Sequence, residues 1–215
     1  MPRAAKKSST STLYSVHPGV VMVQKWIAEL PEKTGRSLEG WIALVKKSGP
    51  ATEKERREWL KKEYGFGTNS AWWIAERCEE SKRGIHDDDP ESYLKAAEIY
   101  VDEMFAGAKA ALRPIYDALL KLGLGIGKEA KACPCQTIVP LYRNHVFAQI
   151  KPTTNTRVDF GLALTHYKGK LPKRLVDTGG LAKKDRITHR IEISSTAQID
   201  DEVKKWLKTA YDLDK

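Results

Sequence analysis

Residues 143–162 read RNHVFAQIKPTTNTRVDFGL, two runs of alternating polarity around a Pro-Thr-Thr-Asn-Thr turn. Successive side chains of a strand point to opposite faces, so the alternation sorts these residues into two sets. With Val146, Ala148 and Ile150 turned to a core, His145, Phe147, Gln149 and Lys151 point away from it, and Arg143 stands at the head of the run. With Val158, Phe160, Leu162 and Leu164 inward, Arg157 and Asp159 point away. A later run, ITHRIEIS at 187–194, places Ile187, His189, Ile191 and Ile193 inward and leaves Thr188, Arg190 and Glu192 outside. One open face thus gathers Lys151, Arg157, Arg190, His145 and Gln149 around the Phe147 ring, with Asp159 and Glu192 between the bases.

Three chemistries are open to such a face. In the first, Arg and Lys neutralise the phosphates of DNA or RNA and Phe147 stacks on a base. The loop between the last two runs would extend the grip with Lys168, Lys170, Lys173, Arg174, Lys183, Lys184 and Arg186. In the second, a small anion sits in a binding or catalytic pocket between the sheet and loop 165–186, with Arg157 and Arg190 as forks and His145 as acid or base. In the third, Arg157–Asp159 and Arg190–Glu192 are ion pairs on a solvated surface that takes no ligand. The nucleic-acid reading is the preferred one, and the residue types leave the other two open.

Signatures of particular enzymes are missing from the sequence. GLGIG at 123–127 trails a helix and lacks the Lys-Ser/Thr ending of a phosphate loop. Neither G-x-S-x-G nor H-E-x-x-H occurs, and IEIS around Glu192 lacks the lysine that a metal-nuclease strand would carry. His86 beside Asp87, Asp88 and Asp89 reads as linker and helix cap, because adjacent carboxylates diverge in space. Cys133 and Cys135 flank Pro134; two thiols one residue apart, with no further ligands in view, make a poor zinc site. A bridge between them would be strained, so reduced thiols in a cytoplasm are the simpler expectation. No metal and no cofactor is implied.

Charge location supports an anionic partner. Residues 128–190 hold thirteen Lys/Arg against four Asp/Glu, which is the whole of the chain's net +9, whereas residues 1–89 carry only three net positive charges. The 215 residues suit one large domain or two small ones. No apolar run approaches a membrane span, and MPRAAKKSSTST reads as a disordered basic arm, residues 1–16, without the apolar stretch of a secretory signal.

The elements that would position the face follow from periodicity and caps. Residues 17–86 read as a helical domain. Helical spacing begins at Val20 and ends near Pro31; Ser37 caps LEGWIALVKK; Thr52 and Glu55 form a capping box; and Thr68, Asn69 or Ser70 caps AWWIAERCEESKR. Five of the six tryptophans fall here and would build a small core. Asp89-Pro90 opens the second domain, residues 87–215, with helices near 92–105 and 114–122. From Cys133 the period changes to two through QTIVPLY, HVFAQIK, RVDFGLAL and ITHRIEIS, and a last helix capped near Asp200 closes the chain. Helices, then strands, then a helix predict an α+β fold: an N-terminal helical bundle followed by an antiparallel sheet flanked by helices.

The pattern T-G-x-S-L-x-x-W at 34–41 and the helix K-E-R-x-x-W-L-K at 54–61 resemble an uncharacterised bacterial helical domain of unknown function. LRPIYDALL, FAQIKPTTNTRVDFGLAL and THRIEISS resemble a second uncharacterised domain found C-terminal to the first. The resemblance implies a two-domain cytoplasmic protein, supplies no catalytic residues, and through an association with nuclease-like domains leans towards nucleic acid.

Overall fold

Two units emerge in the computed structural model, which describes residues 13–79 and 88–215: His17–Tyr93, and Leu94–Lys215 together with residues 13–16. The division falls inside a helix, seven residues past the boundary at 86/87 read from the sequence.

In the first unit, Pro18 opens α1 (Pro18–Thr34), and His17 Nδ1 accepts the Gly19 N–H at 2.9 Å. The helix does not stop near Pro31 as its sequence suggests. A proline in the last turn removes only one intrahelical bond, and the end is closed by Thr34 Oγ1 donating to the Leu30 carbonyl and Gly35 N–H donating to that of Pro31. Gly35 has a φ of 74°, the left-handed turn that glycine enters without a Cβ clash. Thr34 Oγ1 also accepts the Trp41 indole N–H at 2.7 Å, and Ser37 Oγ accepts the Gly40 N–H, which starts α2 (Leu38–Ser48). The corner residues Thr34, Gly35, Ser37, Leu38 and Trp41 therefore each have a structural task.

The Thr52–Glu55 capping box starts α3 (Glu53–Tyr64) as its spacing predicts. In contrast, α4 (Thr68–Arg77) begins after Gly67 with no side-chain cap, so Thr68, Asn69 and Ser70 lie inside the helix. Leu30, Trp41, Val45, Leu60 and Ile74 form the core, with Trp26 and Trp59 partly buried against it. Trp72 is an exception among the tryptophans and is exposed. His86 and Asp87 lie outside the described residues, but Asp88 pairs with Arg77 and Asp89 Oδ1 accepts the N–H groups of Glu91 and Ser92 to cap α5 (Pro90–Met104).

The second unit holds the sheet. After α6 (Arg113–Leu124) come β1 (Lys131–Ala132), β2 (Val139–Tyr142), β3 (Val146–Pro152), β4 (Val158–Leu162), β5 (Val176–Asp177) and β6 (His189–Ile193), then α7 (Asp201–Leu213). All neighbours are antiparallel, in the order β1-β2-β3-β4-β6-β5. One face carries Ile150, Phe160, Leu162, Ile191 and Ile193, all fully buried; α6 packs on β1 and β3, and α7 on β3 and β4. The other face holds the register rows Lys151–Asp159–Glu192 and Gln149–Gly161–Arg190. The expected basic arm lies outside the described residues as far as residue 12. Residues 13–16 are held: Ser15 N–H donates to Ala132, beside β1, and the Tyr14 hydroxyl meets that of Tyr116 at 2.9 Å.

Two side-chain placements differ from simple alternation. Phe147, expected outside, is fully buried, its ring edge-on to Tyr211 of α7 at 5.3 Å. The pairing of β2 with β3 jumps from Leu141–Ala148 to Tyr142–Val146, so Phe147 is the extra residue of a bulge, and a bulge re-aims one side chain. Just before β6 the chain also leaves strict alternation. Thr188, expected outside, is buried with its Oγ1 accepting the Leu164 N–H, while Ile187 packs over Gly161.

Candidate functional site

The cations expected on one face separate into three places. Arg157, Arg190, Lys151 and Gln149 do share the open face, but the two arginines are engaged there. Arg157 lies 2.9 Å from Asp159 and 3.1 Å from Glu192; Arg190 lies 3.5 Å from Asp159 and 3.0 Å from Glu192. Thr153 Oγ1 donates to the second oxygen of Asp159. Two arginines against two carboxylates leave this quartet neutral, as the ion-pair reading anticipated. Lys151 is exposed and, among the described residues, has no ion-pair partner; it borders a polar groove with Lys109 and Asn155.

Arg143 and His145 lie at the opposite end of β3 and serve the end of α7. Arg143 donates to Glu129 and to the Tyr211 carbonyl, and its guanidinium stands 4.7 Å from the Tyr211 ring centre. Lys170 and Lys173 are exposed in loop 165–186. Arg174 is not on the sheet face: it ties the loop to the start of α7 by donating to Asp200, Glu202 and the Gln198 carbonyl. Tyr167 adds an edge-on contact to Trp206 of α7, so the first part of the loop covers this helix.

The last part of the loop is tightly built. Thr178 Oγ1 donates to the Ile187 carbonyl and accepts the Gly180 N–H, Asp185 N–H donates to Gly180, and Asp185 Oδ1 accepts the Ile187 N–H. Lys184 is held at a φ of 57°, a conformation that a non-glycine residue adopts at a cost. These bonds set Lys184 and Arg186 against the C-terminal end of α7, where a pocket of about 300 Å³ opens. Thr165, His166, Lys184, Asp185, Arg186 and Asp214 supply its polar wall, and Leu181, Ala210 and Leu213 its apolar one.

Asp214 organises that wall. Its side chain is only 2% exposed. Oδ2 accepts the backbone N–H groups of Asn144 (3.0 Å) and His145 (2.8 Å); Oδ1 lies 2.9 Å from His145 Nδ1 and accepts from Arg186 Nη2 at 3.0 Å. Burial alone would raise this carboxyl, but the N–H groups of His145 and the Arg186 charge outweigh burial and hold it below the ordinary aspartate range.

With this geometry in view, comparison with known families is informative. Residues 101–214, more than half of the chain and all of the pocket, match Domain of unknown function (DUF5655). The chain belongs to the DUF5655 family. Residues 22–79 match a second, Domain of unknown function (DUF4287), so the chain is a two-domain protein whose helical part is of the DUF4287 type. No curated protein and no solved structure matches the chain.

Within the DUF5655 domain the Cys133 thiol is a poor reagent. Cys133 is buried, and burial followed by the neighbouring Cys135 pushes its thiol up to about 12, far from the thiolate a nucleophile needs. Among the described residues, no group of three or more His, Cys, Asp or Glu is arranged to hold a metal ion, and no helix is long and apolar enough to cross a membrane. Sequence reasoning missed Asp214 and His166. Asp214 carries no local signal, since its partners lie about seventy residues earlier and twenty-eight residues earlier in the chain.

Proposed function

We propose that the DUF5655 domain binds a small anionic ligand, bearing a phosphate or carboxylate, in the pocket between loop 165–186 and the end of α7. One observation carries the reading: Arg186 leaves half of its side chain exposed at the pocket while Asp214 fixes one nitrogen of its planar fork. Lys184 and His166 add donors beside it, and Leu181, Ala210 and Leu213 offer an apolar floor for the rest of a small molecule.

The test is titration calorimetry with phosphate, nucleotides and short carboxylates. Arg186→Ala removes a charge-assisted contact worth about 1.5–3 kcal/mol, an affinity loss of roughly tenfold to a hundredfold. Lys184→Gly removes a second cation while relaxing the left-handed backbone, so it weakens binding without lowering the melting temperature. A panel in which no anion binds or raises the melting temperature sinks the proposal.

A second reading is favoured by the exposed loop lysines. Lys168, Lys170, Lys173 and Lys183 are exposed and, among the described residues, make no ion pair, so they remain available to nucleic-acid phosphates in a cytoplasmic setting. On this reading Lys170→Glu with Lys173→Glu weakens binding to DNA or RNA at about 50 mM salt and flattens its salt dependence. Arg157→Ala with Arg190→Ala changes it little, because Asp159 and Glu192 already neutralise those arginines. Absence of binding at that salt ends this reading.

A further inference from the structure

Four charged residues line the pocket between loop 165–186 and the end of α7: Lys184, Asp185, Arg186 and Asp214. Two positive and two negative side chains give it a neutral wall, a poor match for a ligand that is only an anion. The two acids are not equivalent. Asp214 is 2% exposed and spends both oxygens on four donors, Arg186 among them. Asp185 is exposed, and its Oδ1 accepts the Ile187 N–H at 3.1 Å. Among the described residues its other oxygen has no hydrogen-bond partner, and the side chain makes no ion pair.

A carboxylate can only accept, so the open oxygen of Asp185 calls for a donor. A plain phosphate or carboxylate held at this wall supplies none and is repelled by the like charge. An ammonium group brings three donors and the opposite charge. Arg186, half exposed, keeps part of its guanidinium for a carboxylate of the same ligand. An α-amino acid carries both charges on a single carbon and so presents one to each of these adjacent residues. The cavity, about 300 Å³, lies at the lower limit of ligand sites and suits a molecule of that size better than a nucleotide. Its uncharged wall includes Leu181, 68% exposed, with Ala210 and Leu213, a surface for an aliphatic side chain.

We propose that this pocket takes a free α-amino acid with an aliphatic side chain, its carboxylate on Arg186 and its ammonium on the open oxygen of Asp185. The inference rests on the anion-pocket reading and names its substrate class. The Ile187 N–H holds the Asp185 carboxylate in place before the ligand arrives, so less side-chain freedom is lost on binding. Asp185 is also open to water, so its preference for the amino group is at the low end for a charge-assisted bond, about tenfold.

The experiment compares pairs that differ by the amino group alone, using calorimetry on the full chain at about pH 7, where both groups of an amino acid are ionised. Leucine is set against 4-methylpentanoate, and valine against 3-methylbutanoate. The expected result is tighter binding of the amino acid in at least one pair, by about tenfold. Asp185→Asn keeps an oxygen for the Ile187 N–H and removes the charge. It should erase the preference by weakening the amino acid without weakening the plain acid, whereas a merely structural role would weaken both. Arg186→Ala weakens both members of a pair. The wild-type comparison needs no variant to fold. Equal affinities within both pairs, tighter binding of the plain acids, or a preference that survives in Asp185→Asn overturns the inference and leaves the anion pocket standing. Binding of phosphate or a nucleotide with no binding of either amino acid does the same. Failure of every ligand to bind removes both.

Discussion

Replacing Asp214 with alanine lowers the free energy of unfolding by about 2–4 kcal/mol at neutral pH, measured by urea denaturation. The carboxylate is buried and serves four donors from two distant parts of the chain, so its removal strands the Asn144 and His145 N–H groups and unties the loop at Arg186. The loss stays below that of a wholly buried ion pair, since the imidazole and guanidinium are each half exposed and recover water. Acid should mimic the substitution. The folded carboxyl titrates below its unfolded value, so its contribution is complete above the ordinary aspartate pKa, near 3.9, and is lost as pH falls below that towards the depressed folded value. Wild type and Asp214→Asn therefore differ most at neutral pH and converge in strong acid. A gap that stays constant from pH 7 to about pH 2 contradicts this account.

The same residue shows where the sequence stops being informative. Strands β2, β3, β4 and β6 and the caps at Ser37, Thr52, Asp89 and Asp200 are all legible, because each depends on residues within a few positions of one another. The three-stranded rows of the open face are legible for the same reason: Lys151, Arg157, Asp159, Arg190 and Glu192 occupy the side that alternation assigns them. What alternation cannot say is which charge meets which, and the pairing of Arg157 and Arg190 with the two acids removes most of the positive field expected there. Arg174 and Arg143, indistinguishable in the sequence from ligand-seeking bases, are consumed in holding α7. The surviving site lies where loop 165–186 folds back on the end of α7, and no local pattern encodes that contact.

Phe147 separates the two views of this protein most sharply. Were it a stacking platform on an open face, Phe147→Ala would weaken nucleic-acid binding and leave stability unchanged. The bulge between Leu141–Ala148 and Tyr142–Val146 instead buries the ring completely against Tyr211, so truncation creates a cavity under α7. Loss of a buried phenylalanine costs about 3–5 kcal/mol, through lost transfer free energy and an incompletely filled void. Phe147→Leu, which keeps most of the volume, should lose clearly less, because a large hydrophobe that fills the space leaves little void. The edge-on contact links this residue to the pocket as well. Tyr211 lies on the same last turn of α7 as Leu213 and one turn before Asp214, and its carbonyl receives Arg143. A loosened Tyr211 therefore frees the end of the helix that presents Asp214 to His145. Phe147→Ala should consequently raise hydrogen exchange at the Asn144 and His145 amides, which lie outside the cavity itself, and full protection of those amides in a stable Phe147→Ala protein would refute the coupling between core and site.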